Sequence, residues 1–194
     1  MNKKDVIAFF DRAAANWDAE LIRHDDVIGR ILDGAGVREG TRVLDVACGT
    51  GVLVPDYLER KVASVTGVDI SAEMIRIARE KFPQDNVRFL CADVEELPAG
   101  ELYDCVMVYN AFPHFPEPER LIRALLEHLA PGGTLTIAHG MSRAQIDDHH
   151  RGSASRVSCG LMHEDALAAM LRKYVQLEVK ISDERMYQLT GRKL

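Results

Sequence analysis

Along residues 4–22 apolar side chains recur at Val6, Phe10, Ala13, Ala14, Trp17 and Leu21, the spacing of one helical face. A second helical stretch carries Val27, Ile28, Ile31 and Leu32 and stops at Gly34 and Gly36. Beyond position 40 the pattern changes. Short runs at 42–46, 64–69, 87–91, 103–109 and 134–138 predict strands. Helical spacing separates most of them, with Met74, Ile75, Ala78 and Phe82 on one face of 71–82. Residues 117–130 repeat it with Leu121, Ile122, Leu125, Leu126 and Leu129. Strands alternating with helices predict an α/β fold whose parallel sheet is covered on both faces, because right-handed crossovers put the helices there. After 140 comes a polar segment, then a helix with Leu167, Met170, Leu171 and Tyr174. Two further strands, Val175–Ile181 and Arg185–Thr190, are joined by Ser182-Asp183-Glu184, a link short enough to require an antiparallel hairpin on the sheet edge.

No linker or repeat divides the 194 residues, which predicts one domain. Its expected parts are a helical cap (1–35), a ligand-binding core (40–138), a lid-like segment (140–160), and the last helix with its hairpin (161–194). With 24 basic against 30 acidic residues the net charge is −6, and no basic stripe offers a grip on a phosphate backbone. No apolar run approaches the ~18 residues that cross a bilayer, and Met1-Asn2-Lys3-Lys4-Asp5 opens no signal-peptide core. Cys48, Cys91, Cys105 and Cys159 form no CxxC, which suits neither a disulfide scaffold nor structural zinc and points to the cytoplasm. Adjacent helical residues point about 100° apart, so the Asp147-Asp148 and His149-His150 pairs do not predict a metal site.

Candidate chemistry gathers at the strand ends. Val43–Gly51 reads as a buried strand running into a glycine turn, where backbone can approach a ligand closely. Asp69 ends the second strand, where a carboxylate can accept both hydroxyls of a ribose. Asp93 follows the third strand, placed to read the amino edge of an adenine; Asn110 ends the fourth, and Pro131-Gly132-Gly133 turns into the fifth. Each acidic residue alone fits a cap or a solvated turn. Together they describe a nucleoside site.

This set resembles the class I S-adenosylmethionine-dependent methyltransferases. The resemblance runs through Val43–Gly51, Gly67-Val68-Asp69-Ile70-Ser71, Ala92-Asp93-Val94, the strand ending at Asn110, and Leu129–Leu135. The opening Phe9-Phe10-Asp11-Arg12 with Ala15-Asn16-Trp17-Asp18 is similar to the family's N-terminal cap. It implies a three-layer, Rossmann-like, seven-stranded sheet, mostly parallel with an antiparallel strand in the C-terminal hairpin. It also implies S-adenosyl-L-methionine as cofactor. Asp45, Ala47, Gly49, Thr50 and Gly51 would surround its methionine end, with Asn110 approaching through its main chain. Asp69 would hold the ribose, Ile70 would pack on the adenine, Asp93 and Val94 would meet the adenine's polar edge, and Met74 would belong to the cofactor site. Trp17 would close the site from above. A nicotinamide dehydrogenase, the rival on this architecture, would need a third glycine where Val54 stands.

The acceptor is less defined. Neighbouring fourth and fifth strands would put His114 and His139 on one rim, each a candidate to remove a proton at neutral pH. Residues 139–163 carry His139, His149, His150 and His163 with Arg143, Arg151 and Arg156, a basic lean that suggests a lid over an anion. Asn110-Ala111-Phe112-Pro113-His114-Phe115 lacks the Asn-Pro-Pro-aromatic signature of amide and exocyclic nitrogen methylation, which with the acidic charge argues against nucleic acid. The expectation is a monomer or homodimer that methylates a small molecule, an anion in the sharper version. A non-catalytic cofactor-binding protein is the alternative.

Overall fold

The structure is a computed structural model that describes residues 2–150 and 156–194. Its order is α1 (Lys3–Ala13), a 3₁₀ turn (Ala14–Asn16), α2 (Trp17–Glu20), α3 (Asp25–Gly34), β1 (Arg42–Val46), α4 (Val54–Glu59), β2 (Ser64–Asp69) and α5 (Ala72–Lys81). There follow β3 (Val87–Cys91), β4 (Tyr103–Tyr109), α6 (Pro118–Glu127), β5 (Leu129–His139), α7 (Arg143–His150), α8 (Glu164–Leu171), β6 (Gln176–Ser182) and β7 (Tyr187–Arg192). The seven strands form one sheet in the order β3-β2-β1-β4-β5-β7-β6, with β7 antiparallel to both its neighbours. This is the mostly parallel, Rossmann-like sheet that the alternation of strands and helices predicts.

Side chains alternate along each strand, so the apolar runs feed two cores. Leu44, Val46, Val106, Val108 and Ile137 pack with Leu121, Leu125, Leu167 and Leu171 of α6 and α8. Val43, Val65, Cys105 and Met107 pack with Ile31, Tyr57 and Ile75 of α3, α4 and α5. The order of strands reverses between β1 and β4, the switch point where open α/β sheets leave a crevice at their carboxyl ends. In-register pairing of Val46 with both Val68 and Val108 brings the ends of β1, β2 and β4 to one level.

Several details differ from the periodicity. The helical run over 4–22 breaks at the Ala14–Asn16 turn, because Trp17 and Asp18 turn toward the strand ends instead of continuing one face. The fifth strand begins at Leu129, and Tyr103 and Cys105 pair with Leu129 and Thr134, so the expected Pro131-Gly132-Gly133 turn sits inside the strand as a bulge. The polar stretch after 140 contains α7.

Candidate functional site

At the switch point lies a cavity of about 310 Å³. It is lined by Asp45, Ala47 and Gly49 after β1, Asp69, Ile70 and Met74 after β2, Asp93 and Val94 after β3, and Asn110 after β4. The cap supplies Lys3, Val6, Phe10, Trp17 and Leu21, and the segment after β4 supplies His114 and Phe115.

Two carboxyls dominate the polar wall, and their surroundings differ. Asp69 accepts from the Gly49 N–H at 2.9 Å and from the Ser71 N–H at 2.8 Å, one on each oxygen. Burial pushes its carboxyl up from the ordinary value, opposed by these two N–H groups. Asp45 is 2% exposed and accepts no hydrogen bond from the described residues. Burial first, then the negative Asp69 beside it, pushes the Asp45 carboxyl up to about 8. A cation placed in this cavity would reverse that shift.

The turn after β1 is bent by left-handed residues. Gly49 has φ +56°, and a Cβ built there would lie 3.7 Å from the Trp17 Nε1. Ala47 has φ +55°, a conformation that costs a residue with a Cβ about 1–2 kcal/mol. Asn110 is also left-handed at φ +53°, and its side-chain oxygen accepts from the Gly140 N–H at 2.9 Å, which ties the end of β4 to the chain leaving β5. Asp93 caps a short turn by accepting from the Glu95 N–H at 2.9 Å, and it pairs with the Lys3 ammonium.

Three predicted residues sit elsewhere. Thr50 is fully buried behind the turn and donates to Asp18 at 2.5 Å. Gly51 also faces away from the cavity, and a Cβ there would come within 2.7 Å of the Phe82 ring. His139 still belongs to β5, one residue beyond the predicted strand end. Its side chain therefore falls on the same face as Ile137, fully buried with its ring 6.1 Å from Tyr187, and not on the rim. His114 does reach the cavity. Its ring meets Phe10 edge-on at 5.0 Å, and Nδ1 lies 2.6 Å from the Val157 carbonyl oxygen. A carbonyl only accepts, so this contact puts the proton on Nδ1 and the basic lone pair on Nε2.

Of the basic residues expected in a lid, Arg143 faces Asp147 at 3.6 Å and Glu164 at 3.9 Å and does not line the cavity. Arg156 is exposed, His163 caps α8, and Arg151 and the side chains of His149 and His150 lie outside the described residues. Sequence reasoning missed Tyr109, the residue before Asn110, which lines the cavity half-buried with its hydroxyl pushed up to about 12 by burial. The strand-end rule that selected Asn110 points to it equally. It also missed Glu95, two residues beyond Asp93, and Arg120 and Lys3, which reach the cavity only through tertiary packing.

Residues 43–133 match a family model described as a methyltransferase domain. A malonyl-[acyl-carrier protein] O-methyltransferase of Acetivibrio thermocellus is 33% identical over 141 residues, covering 71% of this chain and 50% of that protein. The ubiquinone/menaquinone biosynthesis C-methyltransferase UbiE of Pseudomonas aeruginosa is 33% identical over 149 residues, covering 69% of this chain and 57% of its own length. The chain thus spans about half the length of the curated relatives it matches. Among solved structures, a Haloferax volcanii putative methyltransferase in complex with the Trm112 activator superposes with a TM-score of 0.81 at 20% identity, over 95% of this chain and 97% of that one. The N-methyltransferase NodS of Bradyrhizobium japonicum, solved with S-adenosyl-L-homocysteine, gives 0.73 at 15% identity over 97% and 98%. Sheet order, glycine turn and family match agree: the chain belongs to the class I S-adenosylmethionine-dependent methyltransferases.

Proposed function

We propose that the chain binds S-adenosylmethionine in the cavity at the switch point and transfers its methyl group to a small molecule. The observation that carries this reading is the buried Asp45 carboxyl, which has no donor among the described residues and faces the same cavity as the pinned Asp69 and the left-handed Gly49. A ligand with a cationic amine beside a ribose satisfies both carboxyls at once. Asp45 with Ala47 and Gly49 would hold the methionine end, Asp69 the ribose, and Ile70, Met74, Val94 and Asp93 the adenine.

The cofactor, when bound, supplies a methyl group already activated on a sulfonium. The chain's task is then to align a nucleophile and keep water out, for which orientation alone is worth on the order of 7–11 kcal/mol. Phe10, Trp17 and Leu21 from the cap and Phe115 after β4 close the cavity with apolar surface. His114 Nε2 accepts a proton where the acceptor is a hydroxyl or an acidic carbon.

The roof favours an acceptor with an apolar body. Among the described residues, Arg120 is the only guanidinium lining the cavity, and it faces Glu95 at 3.2 Å. The anionic acceptor suggested by the basic stretch after His139 therefore has few described groups to bind it. Cys48, Cys91, Cys105 and Cys159 are all unpaired, which suits a cytoplasmic enzyme.

Calorimetry with S-adenosylhomocysteine tests the cofactor site, and saturable binding is expected. Labelled-methyl transfer to pooled metabolites then tests turnover. Binding without transfer would favour the non-catalytic alternative; no binding would sink the reading.

A further inference from the structure

The cap carries two aspartates, Asp11 on α1 and Asp18 on α2, whose partners are on the cofactor loops. Asp11 accepts from the Ser71 hydroxyl at 2.6 Å and from the Glu73 N–H at 3.3 Å. Ser71 is fully buried; its own N–H holds Asp69, and its hydroxyl caps α5 by accepting from the Met74 N–H at 3.2 Å. Asp69 in turn holds the Gly49 N–H. One chain of hydrogen bonds thus runs from the cap helix through Ser71 to Asp69 and the glycine turn.

Asp18 works from the opposite side. One oxygen accepts from the Thr50 hydroxyl at 2.5 Å, and the other pairs with Lys81 at 2.6 Å. Thr50 lies between Gly49 and Gly51 with its side chain turned away from the cavity, so Asp18 holds the turn by its outer surface. Phe10 and Trp17, each one residue before a fastening, line the cavity and meet edge-on at 5.7 Å.

We propose that Asp11 and Asp18 are positioning residues that fasten the cap to the loops after β2 and β1, so that release of the cofactor requires both fastenings to open. Neither residue lines the cavity. Each acts through the residue it holds, Ser71 for Asp69 and Thr50 for Gly49. A closed cap thereby sets the geometry of the two loops and blocks their ligand's exit in one movement. The inference rests on the cofactor reading above.

Trp17 is the only tryptophan in the chain and lines the cavity, so its fluorescence follows S-adenosylhomocysteine release in a stopped-flow chase. Asp11→Ala and Asp18→Ala each speed release about tenfold, the loss expected from charge-assisted hydrogen bonds, with the wild-type circular dichroism spectrum retained. Asp11→Asn still accepts from Ser71 and Glu73 and keeps the rate within about twofold of wild type. Unchanged release in both alanine variants overturns the inference while leaving the cofactor site standing. Absence of binding by the wild type overturns both. If an alanine variant fails to fold, Asp11→Asn against Asp18→Asn carries the test. Only the second loses an ion pair with a lysine, so only the second speeds release; equal rates overturn the inference.

Discussion

The two halves of the cavity rim are built differently. Under the ends of β1 and β2, the loops brace each other over short intervals: Asp69 is held by Ser71, two residues on, and by the Gly49 turn, 20 residues back, and Ser71 also caps the Met74 N–H. Under the ends of β4 and β5, the links span long intervals: Asn110 to Gly140, His114 to Val157, Phe10 to His114. A local arrangement is nearly complete once two short motifs form. A distant one exists only after the whole sheet and cap have assembled. The first half suits a constant ligand and the second a variable one.

Asp69→Ala is the severest way to break the local half. It removes the ribose acceptor and leaves two buried N–H groups without their carboxylate, so affinity for S-adenosylhomocysteine falls about 100-fold or more by calorimetry. On the distant half, with an acceptor in hand, His114→Ala lowers kcat by about 10²-fold or more at unchanged cofactor affinity if a proton must leave. His139→Ala acts instead as a core truncation. It lowers stability to denaturant while the folded fraction keeps its cofactor affinity, and a selective loss of kcat would return His139 to the rim.

Asp45 sharpens the contrast through pH. Its carboxyl is raised in the folded protein, so the native state binds the extra proton; this group's contribution to stability without ligand is full below the unfolded value near 4 and is lost as pH rises toward about 8. Cofactor affinity moves the other way, rising to about pH 8 as the carboxylate forms, and Asp45→Asn flattens both profiles. Asn110→Ala loses the Gly140 bond and puts a less tolerant residue at positive φ, costing about 1–2 kcal/mol in urea unfolding. The smallest effect is at Ala47, where glycine relieves the left-handed strain and raises stability by up to about 1 kcal/mol.

The same division explains what was legible. The glycine turn, Asp69, Asp93 and Asn110 could be read because a strand end followed by a small or acidic residue is a local pattern, and strand alternation fixed which rim it faces. His139 was misplaced by a single residue of strand length, enough to turn its side chain from the rim into the core. Lys3 and Arg120 carry no local signal and reach the cavity only because α1 and α6 pack over the third and fourth strand ends. The roles of Asp11 and Asp18 were hidden for the same reason. Their partners lie 60 and 32 residues away.

The strand order has a consequence for how the chain acquires this sheet. β7 follows β6 in the chain but lies between it and β5, and β6 has no other neighbour in the sheet. During synthesis β6 therefore emerges with nowhere to pair, while β5 presents an unpaired edge until Tyr187–Arg192 arrive. The backbone exchange between Gly132, Gly133 and Lys193, with the Lys193 ammonium on the Leu126 and Leu129 carbonyls, closes that edge last. Pairing of such high sequence separation is slow. A nascent chain halted before residue 187 would thus expose β5, the strand that pairs with the one ending at Asn110, as a template for aggregation.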